Sequence, residues 1–145
     1  FLLGFEGSEV EKVSFTEVEK RKTREELSRA DKGDTVVLGC PHYSLAEIDQ
    51  LYRKLKGKKF AKKCLIFCSR YTYARADDSG LIQNLKKAGC EFVCDSCPDF
   101  TPLMGLLGVD SIATDSCKGC HYIHKQHSVD VALIDTDRIV EEYCR

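Results

Sequence analysis

The chain has 145 residues, of which 43% are hydrophobic and 31% are charged, and its formal net charge is −1. This length is sufficient for one domain with its own core, and the balanced charge gives no electrostatic footprint for a nucleic-acid partner. The sequence has no apolar run close to the roughly 20 residues of a membrane span, so we expect no membrane partner. Because the chain begins with Phe1 and not with Met, we expect it to be a fragment of a longer protein.

The first 33 residues differ in pattern from the rest of the chain. We predict a short strand at Lys12–Phe15. The charged residues that follow, up to Asp34, predict one exposed helix. We therefore treat residues 1–33 as a strand and a helix that lead into the main part of the domain.

Residues 34–145 alternate between strand and helix patterns. Five short apolar runs predict strands: Thr35–Gly39, Cys64–Cys68, Cys90–Cys94, Asp110–Thr114 and Asp130–Ile134. Ser44 and Glu47 form a capping box ahead of a helical repeat of apolar residues. Gly89 is expected to end a second helix, Ser116 to begin a third, and Asp135 or Thr136 to cap the last.

Continuous apolar strands that alternate with helices are typical of a parallel sheet covered by helices on both faces. We therefore predict an α/β fold, in which residues 1–145 form a single three-layer αβα domain with a mostly parallel sheet. The short connections fit right-handed crossovers between neighbouring strands.

Nine cysteines are an unusually high number for this length. An odd number cannot pair fully within the chain, and a domain of this size does not need disulfides for stability. We therefore predict reduced thiols and a cytoplasmic location, with some cysteines free to bind a metal.

Thiols lie at the carboxyl ends of four of the predicted strands: Cys40, Cys68, Cys94 with Cys97, and Cys117. In open α/β sheets, ligands bind outside the carboxyl ends of the strands. The positions therefore predict one site, assembled from loops that are distant in sequence.

Three metal chemistries are compatible with these thiols. The pairs Cys94-x-x-Cys97 and Cys117-x-x-Cys120, with 19 residues between them, have the spacing of a four-thiolate zinc site. Cys117-x-x-Cys120-His121 matches the attachment motif of a c-type haem. The third possibility is an iron–sulfur cluster held by thiolates from separate loops.

The stretch "TDSCKGCHYIH" also predicts an anion site. Ser116, the amide groups of a helix start and Lys118 could hold a substrate carboxylate or phosphate. Simple capping by Ser116, with Lys118 in solvent, is the alternative. His121, His124 and His127 share one helical face, which is compatible either with metal binding or with surface exposure.

The stretches "LGCPHYSLAEI", "CSRY", "CDSCPDFTPL" and "TDSCKGCHY" resemble, in order and spacing, the C-terminal part of the catalytic large subunit in the aconitase X family. The resemblance covers roughly residues 10–145. It implies an aconitase-like fold and a hydro-lyase, such as a dehydratase of mevalonate 5-phosphate or of cis-3-hydroxy-L-proline. It also implies a small swivelling subunit or domain as partner.

The same resemblance implies roles for individual residues. Cys40 and Cys97 would be ligands of an iron–sulfur cluster, most simply 4Fe–4S, with the third ligand upstream of Phe1. Ser116 and Lys118 would contact the anionic substrate. The residues His42, Ser69 and Arg70 would line the same pocket, with His42 as a candidate catalytic group. The general base would come from outside this chain, as a serine of the small partner.

The sequence departs from the family pattern at several positions. Asp115 stands where the family usually has Asn, and a negative charge there would weaken anion binding unless it is paired. Cys94, Cys117 and Cys120 replace small apolar residues. A cluster ligand set shifted to Cys94 or Cys117 is an alternative that these cysteines leave open. The rival function, based on the spacing alone, is a zinc-stabilised binding module without catalysis, held by Cys94, Cys97, Cys117 and Cys120.

Overall fold

The computed structural model describes residues 14–100, 102–106 and 108–145. Five strands form one sheet in the order β3-β2-β1-β4-β5, and every neighbouring pair is parallel. The strands are β1 (Thr35–Tyr43), β2 (Lys63–Cys68), β3 (Cys90–Cys94), β4 (Ser111–Thr114) and β5 (Asp130–Leu133). The prediction of an α/β fold with a parallel sheet is confirmed.

Helices cover both faces of this sheet. They are α1 (Glu17–Leu27), α2 (Leu45–Leu55), α3 (Arg70–Asp78), α4 (Leu81–Lys87), α5 (Leu103–Leu106), α6 (Cys117–His127) and α7 (Thr136–Tyr143). One layer contains α2, α3, α4 and α7, and the opposite layer contains α1 and α6. None of the helices in the described part of the chain is long and apolar enough to cross a membrane.

Successive residues of a strand point alternately to the two faces of the sheet, and each face forms one half of the core. Along β1, Val36 and Leu38 pack under the α2 layer, whereas Val37 packs under α6. All three side chains are fully buried. Because both faces are covered, the strands have to be apolar without interruption.

The predicted helix boundaries follow from local chemistry. In α2, the Ser44 amide donates to the Glu47 carboxylate at 2.8 Å, and the Glu47 amide donates to the Ser44 hydroxyl at 3.3 Å, which confirms the capping box. Gly89 follows α4 with a φ of 90°, the conformation expected just after a helix end.

The N-terminal prediction is confirmed in part. Helix α1 has no buried residue, as an exposed charged helix should, but it ends at Leu27, so the predicted extension of this helix to Asp34 is wrong. Within the predicted strand Lys12–Phe15, residues 12 and 13 lie outside the described residues. Ser14 and Phe15 have no regular secondary structure, so the strand is wrong for these two positions.

Strand β1 continues four residues beyond the predicted end at Gly39. The register with β2 shifts between Leu38 and Tyr43, and the Cys40–Pro41 peptide bond is cis. Gly39 has a φ of 89°, and a Cβ there would lie 2.1 Å from the carbonyl oxygen of Phe67. Only glycine fits this irregular point, which places Cys40 at the carboxyl edge of the sheet.

Candidate metal and substrate site

A compact group of metal-ligating side chains lies at the carboxyl edge of the sheet. Cys40 comes from β1, and Cys97 and Asp99 come from the loop after β3. One ligand atom from each lies within 4.8 Å of the others. Among the residues that the structure describes, no other three Cys, His, Asp or Glu side chains meet in this way.

Asp99 was missed by the sequence analysis. Its side chain is 2% exposed, one carboxylate oxygen accepts from the Cys40 thiol at 3.5 Å, and the Lys118 ammonium lies 3.8 Å away. A carboxylate two residues after a predicted ligand, behind a proline, was the available signal. The burial of Asp99 depends on how the loop folds against β1, which the local sequence does not show.

The environment of Cys40 favours the protonated thiol when no cation is bound. Burial, and then the charge of Asp99, raise the pKa of Cys40 to about 12, although Lys118 opposes this. Because metals bind the thiolate, a cation at this position has to displace the proton.

Two histidines hold the loop that carries Cys97 and Asp99. The ring nitrogen Nε2 of His42 lies 2.6 Å from the carbonyl oxygen of Ser96, and Nε2 of His127 lies 2.9 Å from that of Asp99. Each ring can donate a hydrogen bond to the loop backbone. These contacts give His42 a positioning role, and they leave its predicted catalytic role as a prediction.

Of the two alternatives for the histidines of α6, a metal-binding face does not form. His127 contacts the Asp99 carbonyl, His124 donates from Nδ1 to the Val129 carbonyl at 3.0 Å, and His121 lies 3.0 Å from the Lys125 ammonium. Each ring therefore has its own separate partner in the structure.

A cavity of about 320 Å³ opens beside the cysteine cluster. Its walls include Cys40, Tyr43 and Asp115, together with Ser116 and Lys118 from the start of α6. The structure thus brings both predicted anion-binding residues next to the predicted metal ligand Cys40.

Ser116 fixes the start of α6 against Cys40. Its hydroxyl donates to the Cys40 carbonyl and accepts from the Gly119 amide, the latter at 2.8 Å. A Cβ on Gly119 would lie 3.3 Å from the Cys40 Cβ, closer than most such contacts. The small residue therefore permits the helix start to approach the thiol.

Asp115 is held by two hydroxyl groups. Tyr43 and Thr136 both donate to the same carboxylate oxygen, Thr136 at 2.9 Å. Burial raises the pKa of Asp115, and the two hydrogen bonds oppose that shift. The negative charge beside the anion site is therefore hydrogen-bonded, although no cation pairs with it among the described residues.

Ser69 and Arg70 lie at the same edge of the sheet but outside this cavity. Ser69 caps α3, where its hydroxyl accepts from the Thr72 amide at 3.0 Å. The Arg70 guanidinium lies 3.0 Å from Asp95, with the Arg70 side chain 83% exposed. Neither residue lines the cavity that contains Ser116 and Lys118, and their role in substrate binding stays a prediction.

The four thiols of the zinc alternative do not converge. Cys120 is 1% exposed on the α6 side of the sheet, and its thiol donates to the Leu27 carbonyl at 3.1 Å. Cys94 packs on the opposite side, and Cys117 is exposed. The zinc module is therefore wrong, and the buried Cys120 also excludes a haem attached through this motif.

Fold and site together define an α/β domain with a thiol and carboxylate cluster at its strand ends. The family model described as "Aconitase X third domain" matches residues 33–145. The chain therefore belongs to the aconitase X family.

The curated proteins that this chain is similar to include several named as dehydratases. The chain is 37% identical over 112 residues to the phosphomevalonate dehydratase large subunit of Aeropyrum pernix, covering 75% of this chain and 27% of the relative. It is 31% identical over 133 residues to that of Methanocaldococcus jannaschii, covering 91% and 33%. It is 34% identical over 93 residues to cis-3-hydroxy-L-proline dehydratase of Hypocrea jecorina, covering 61% and 15%. The chain thus spans a third or less of these relatives.

A solved structure has the same fold. The crystal structure of Thermococcus kodakaraensis aconitase X in its holo-form superposes with a TM-score of 0.82 at 26% identity. The superposition covers 94% of this chain and 36% of that one. The aconitase-like fold expected from the resemblance is confirmed.

Proposed function

We propose that this chain contributes part of the active site of an iron–sulfur hydro-lyase, which eliminates water from a small hydroxy acid. The observation that carries the proposal is the meeting of Cys40, Cys97 and Asp99 beside a cavity that contains Ser116 and Lys118. The names of the relatives, phosphomevalonate dehydratase and cis-3-hydroxy-L-proline dehydratase, support the substrate class.

The residues present fit an iron–sulfur cluster. Cys40 and Cys97 supply the two thiols, and thiolates are the usual ligands of such clusters. We propose that the third ligand lies outside this chain and that the cluster is of the 4Fe–4S type. When bound, an iron with an open coordination position supplies a Lewis acid that polarises the C–O bond of the substrate hydroxyl.

Lys118 and the start of α6 are proposed to hold the anionic group of the substrate. The Lys118 side chain is 52% exposed and lies 3.8 Å from Asp99, so its ammonium can turn to an anion in the cavity. The amide groups of the first turn of this 11-residue helix add favourable partial charge. Fixing the acid group aligns the hydroxyl and the neighbouring C–H bond for elimination.

The remaining components of the active site are proposed to come from outside residues 1–145. Two of the relatives are named large subunits, which supports a small swivelling subunit as partner. We propose that a serine of this partner is the general base, and that His42, Ser69 and Arg70 complete the rim facing it. The chain alone should therefore show no turnover.

We further propose that residues 1–145 are a single domain of a longer large subunit in the cytoplasm. The match covers only 33% of the large subunit of Methanocaldococcus jannaschii, which supports a longer large subunit for this chain. All nine cysteines are free thiols in the structure, which supports a reducing compartment.

The test is a turnover assay of the complete large subunit with its small subunit. Mevalonate 5-phosphate and cis-3-hydroxy-L-proline are offered separately, and loss of water is followed by mass spectrometry. We expect dehydration of one of them, its loss in Cys97→Ser, and its retention in the matched control Cys117→Ser, whose thiol is exposed. Equal turnover by Cys97→Ser and wild type would contradict the assignment.

A further inference from the structure

Two cysteine pairs face each other across neighbouring strands β2 and β3. The register pairs Cys64 with Cys90 and Cys68 with Cys94. Both pairs belong to the α2 side of the sheet, where Cys68 is a core residue and Cys94 packs against the same core. Burial, and then the Cys94 thiol, raise the pKa of Cys68 to about 12.

The spacing of the paired residues suits a disulfide. Neighbouring strands lie about 4.8 Å apart, inside the range of about 4.4 to 6.8 Å between the Cα atoms of bonded cysteines. Each pair also projects to the same side of the sheet, as a bridge requires. Both pairs meet this condition, so access to an oxidant decides between them.

The two pairs differ in access. Cys64 is fully buried and Cys90 is 3% exposed. Cys68 is also fully buried, but Cys94 is partly exposed at the carboxyl end of the edge strand β3. An oxidant can therefore reach one thiol of the second pair and neither thiol of the first.

We propose that Cys68 and Cys94 form a thiol–disulfide modification site, in which an inter-strand disulfide is made and broken by exchange with a small disulfide such as oxidised glutathione. The Cys94 thiolate attacks one sulfur of glutathione disulfide, giving a mixed disulfide and one glutathione thiolate. The Cys68 thiolate then attacks the Cys94 sulfur and releases the second glutathione. The two cysteine protons pass to the two glutathione thiolates, and reduction reverses both steps.

This site is separate from the proposed metal ligands but adjacent to them. Cys94 precedes Cys97 by three residues, and the Cys68 carbonyl accepts from the Asp95 amide at 3.1 Å. A bond between Cys68 and Cys94 joins two strands that are already paired, so the sheet is retained. The inference does not depend on the iron–sulfur proposal.

The experiment equilibrates the complete protein, with its metal and without oxygen, in buffers of reduced and oxidised glutathione. After acid quenching and alkylation with N-ethylmaleimide, trypsin releases residues 64–70 and 88–118 as separate peptides. We expect the two peptides to be joined by a disulfide, with a mass two hydrogens below the sum of the masses of the separate peptides. Dithiothreitol should cleave this link. It should be absent in Cys68→Ala and Cys94→Ala and present in the matched control Cys90→Ala.

Three results would overturn the proposal. The link persists in Cys94→Ala, a disulfide forms within residues 88–118, or no link appears at any glutathione ratio that leaves the circular dichroism spectrum native. If Cys68→Ala does not fold, Cys94→Ala still decides, because its side chain lies at the partly exposed strand end.

Discussion

The thiol of Cys40 lies 3.5 Å from a carboxylate oxygen of Asp99, a residue 59 positions further along the chain. If Cys40 and Cys97 both gave up their protons, three negative groups would share a space in which their ligand atoms lie within 4.8 Å of one another. The ammonium of Lys118 lies 3.8 Å from Asp99 and supplies one positive charge. Like charges so close destabilise each other, so the arrangement favours an additional cation.

Lys118→Ala should weaken substrate binding more than it slows turnover. A hydrogen bond to a charged group contributes about 1.5 to 3 kcal/mol, so we expect KM to rise about 10- to 100-fold, with a much smaller change in kcat. Steady-state kinetics of the assembled enzyme measures both. Lys125→Ala, on the same helix but beside His121, is the control and should leave KM unchanged. An unaltered KM in Lys118→Ala would remove this residue from the substrate site.

Ser116→Ala should lower both stability and metal retention. Loss of a helix N-cap costs about 1 kcal/mol of unfolding free energy, and this hydroxyl also donates to the Cys40 carbonyl. Urea unfolding and iron analysis measure the two effects. Ser44→Ala removes the cap of α2 and is the control, with a similar loss of stability and full iron content. Normal iron content in Ser116→Ala would show that the Cys40 contact is dispensable.

Gly39→Ala should be strongly destabilising. The added Cβ would lie 2.1 Å from the Phe67 carbonyl oxygen, in a conformation with positive φ. We expect a loss of about 3 kcal/mol or more, as for other severe backbone clashes. Gly80→Ala is the matched control, since Gly80 has a φ of 76° but open space around it, and should lose about 1 kcal/mol. Equal losses in denaturant unfolding would mean that the clash at Gly39 is relieved elsewhere.

The strands and helix boundaries could be predicted because they depend on local chemistry. A parallel sheet covered on both faces requires apolar runs such as Cys64–Cys68, and the capping box of Ser44 and Glu47 lies within four residues. A thiol site at the strand ends could be predicted as well, because parallel strand ends share one edge of the sheet. That rule did not distinguish Cys40 and Cys97 from Cys68, Cys94 and Cys117, and only the family resemblance selected the pair that meets in the structure.

The rest of the site depends on contacts between distant segments. Asp99 is buried because its loop folds over β1, and His127 reaches it from the end of α6. The hydrogen bonds of Asp115 come from Tyr43 and Thr136, on either side of it in the sequence. No local pattern marks these partners, so the sequence alone left open whether the charge of Asp115 is paired.

Asp115→Asn should make stability less dependent on pH. Because burial raises the pKa of Asp115, the folded state favours the protonated acid, and that contribution is lost as the pH rises from about 3.9, the unfolded value. Asn does not titrate and can still accept from Tyr43 and Thr136. We therefore expect the unfolding free energy of Asp115→Asn, relative to wild type, to increase between about pH 3 and pH 7.

Asp34→Asn is a control of opposite sign for this experiment. A hydrogen bond from Lys62 lowers the pKa of Asp34, so its contribution to stability is present at neutral pH and lost as the pH falls. The stability of Asp34→Asn relative to wild type should therefore decrease as the pH rises. Parallel pH profiles for the two variants would refute the environment assigned to Asp115.

Iron content of the complete protein, prepared without oxygen, tests the central claim most directly. Metal analysis, labile-sulfide determination and visible absorption are compared for wild type, Cys40→Ser and Cys117→Ser. We predict that Cys40→Ser loses nearly all iron, sulfide and visible absorption, whereas Cys117→Ser keeps them, since its thiol lies outside the cluster with Cys97 and Asp99. Wild-type iron and sulfide in Cys40→Ser, or a single tightly bound zinc in place of iron, would contradict the account.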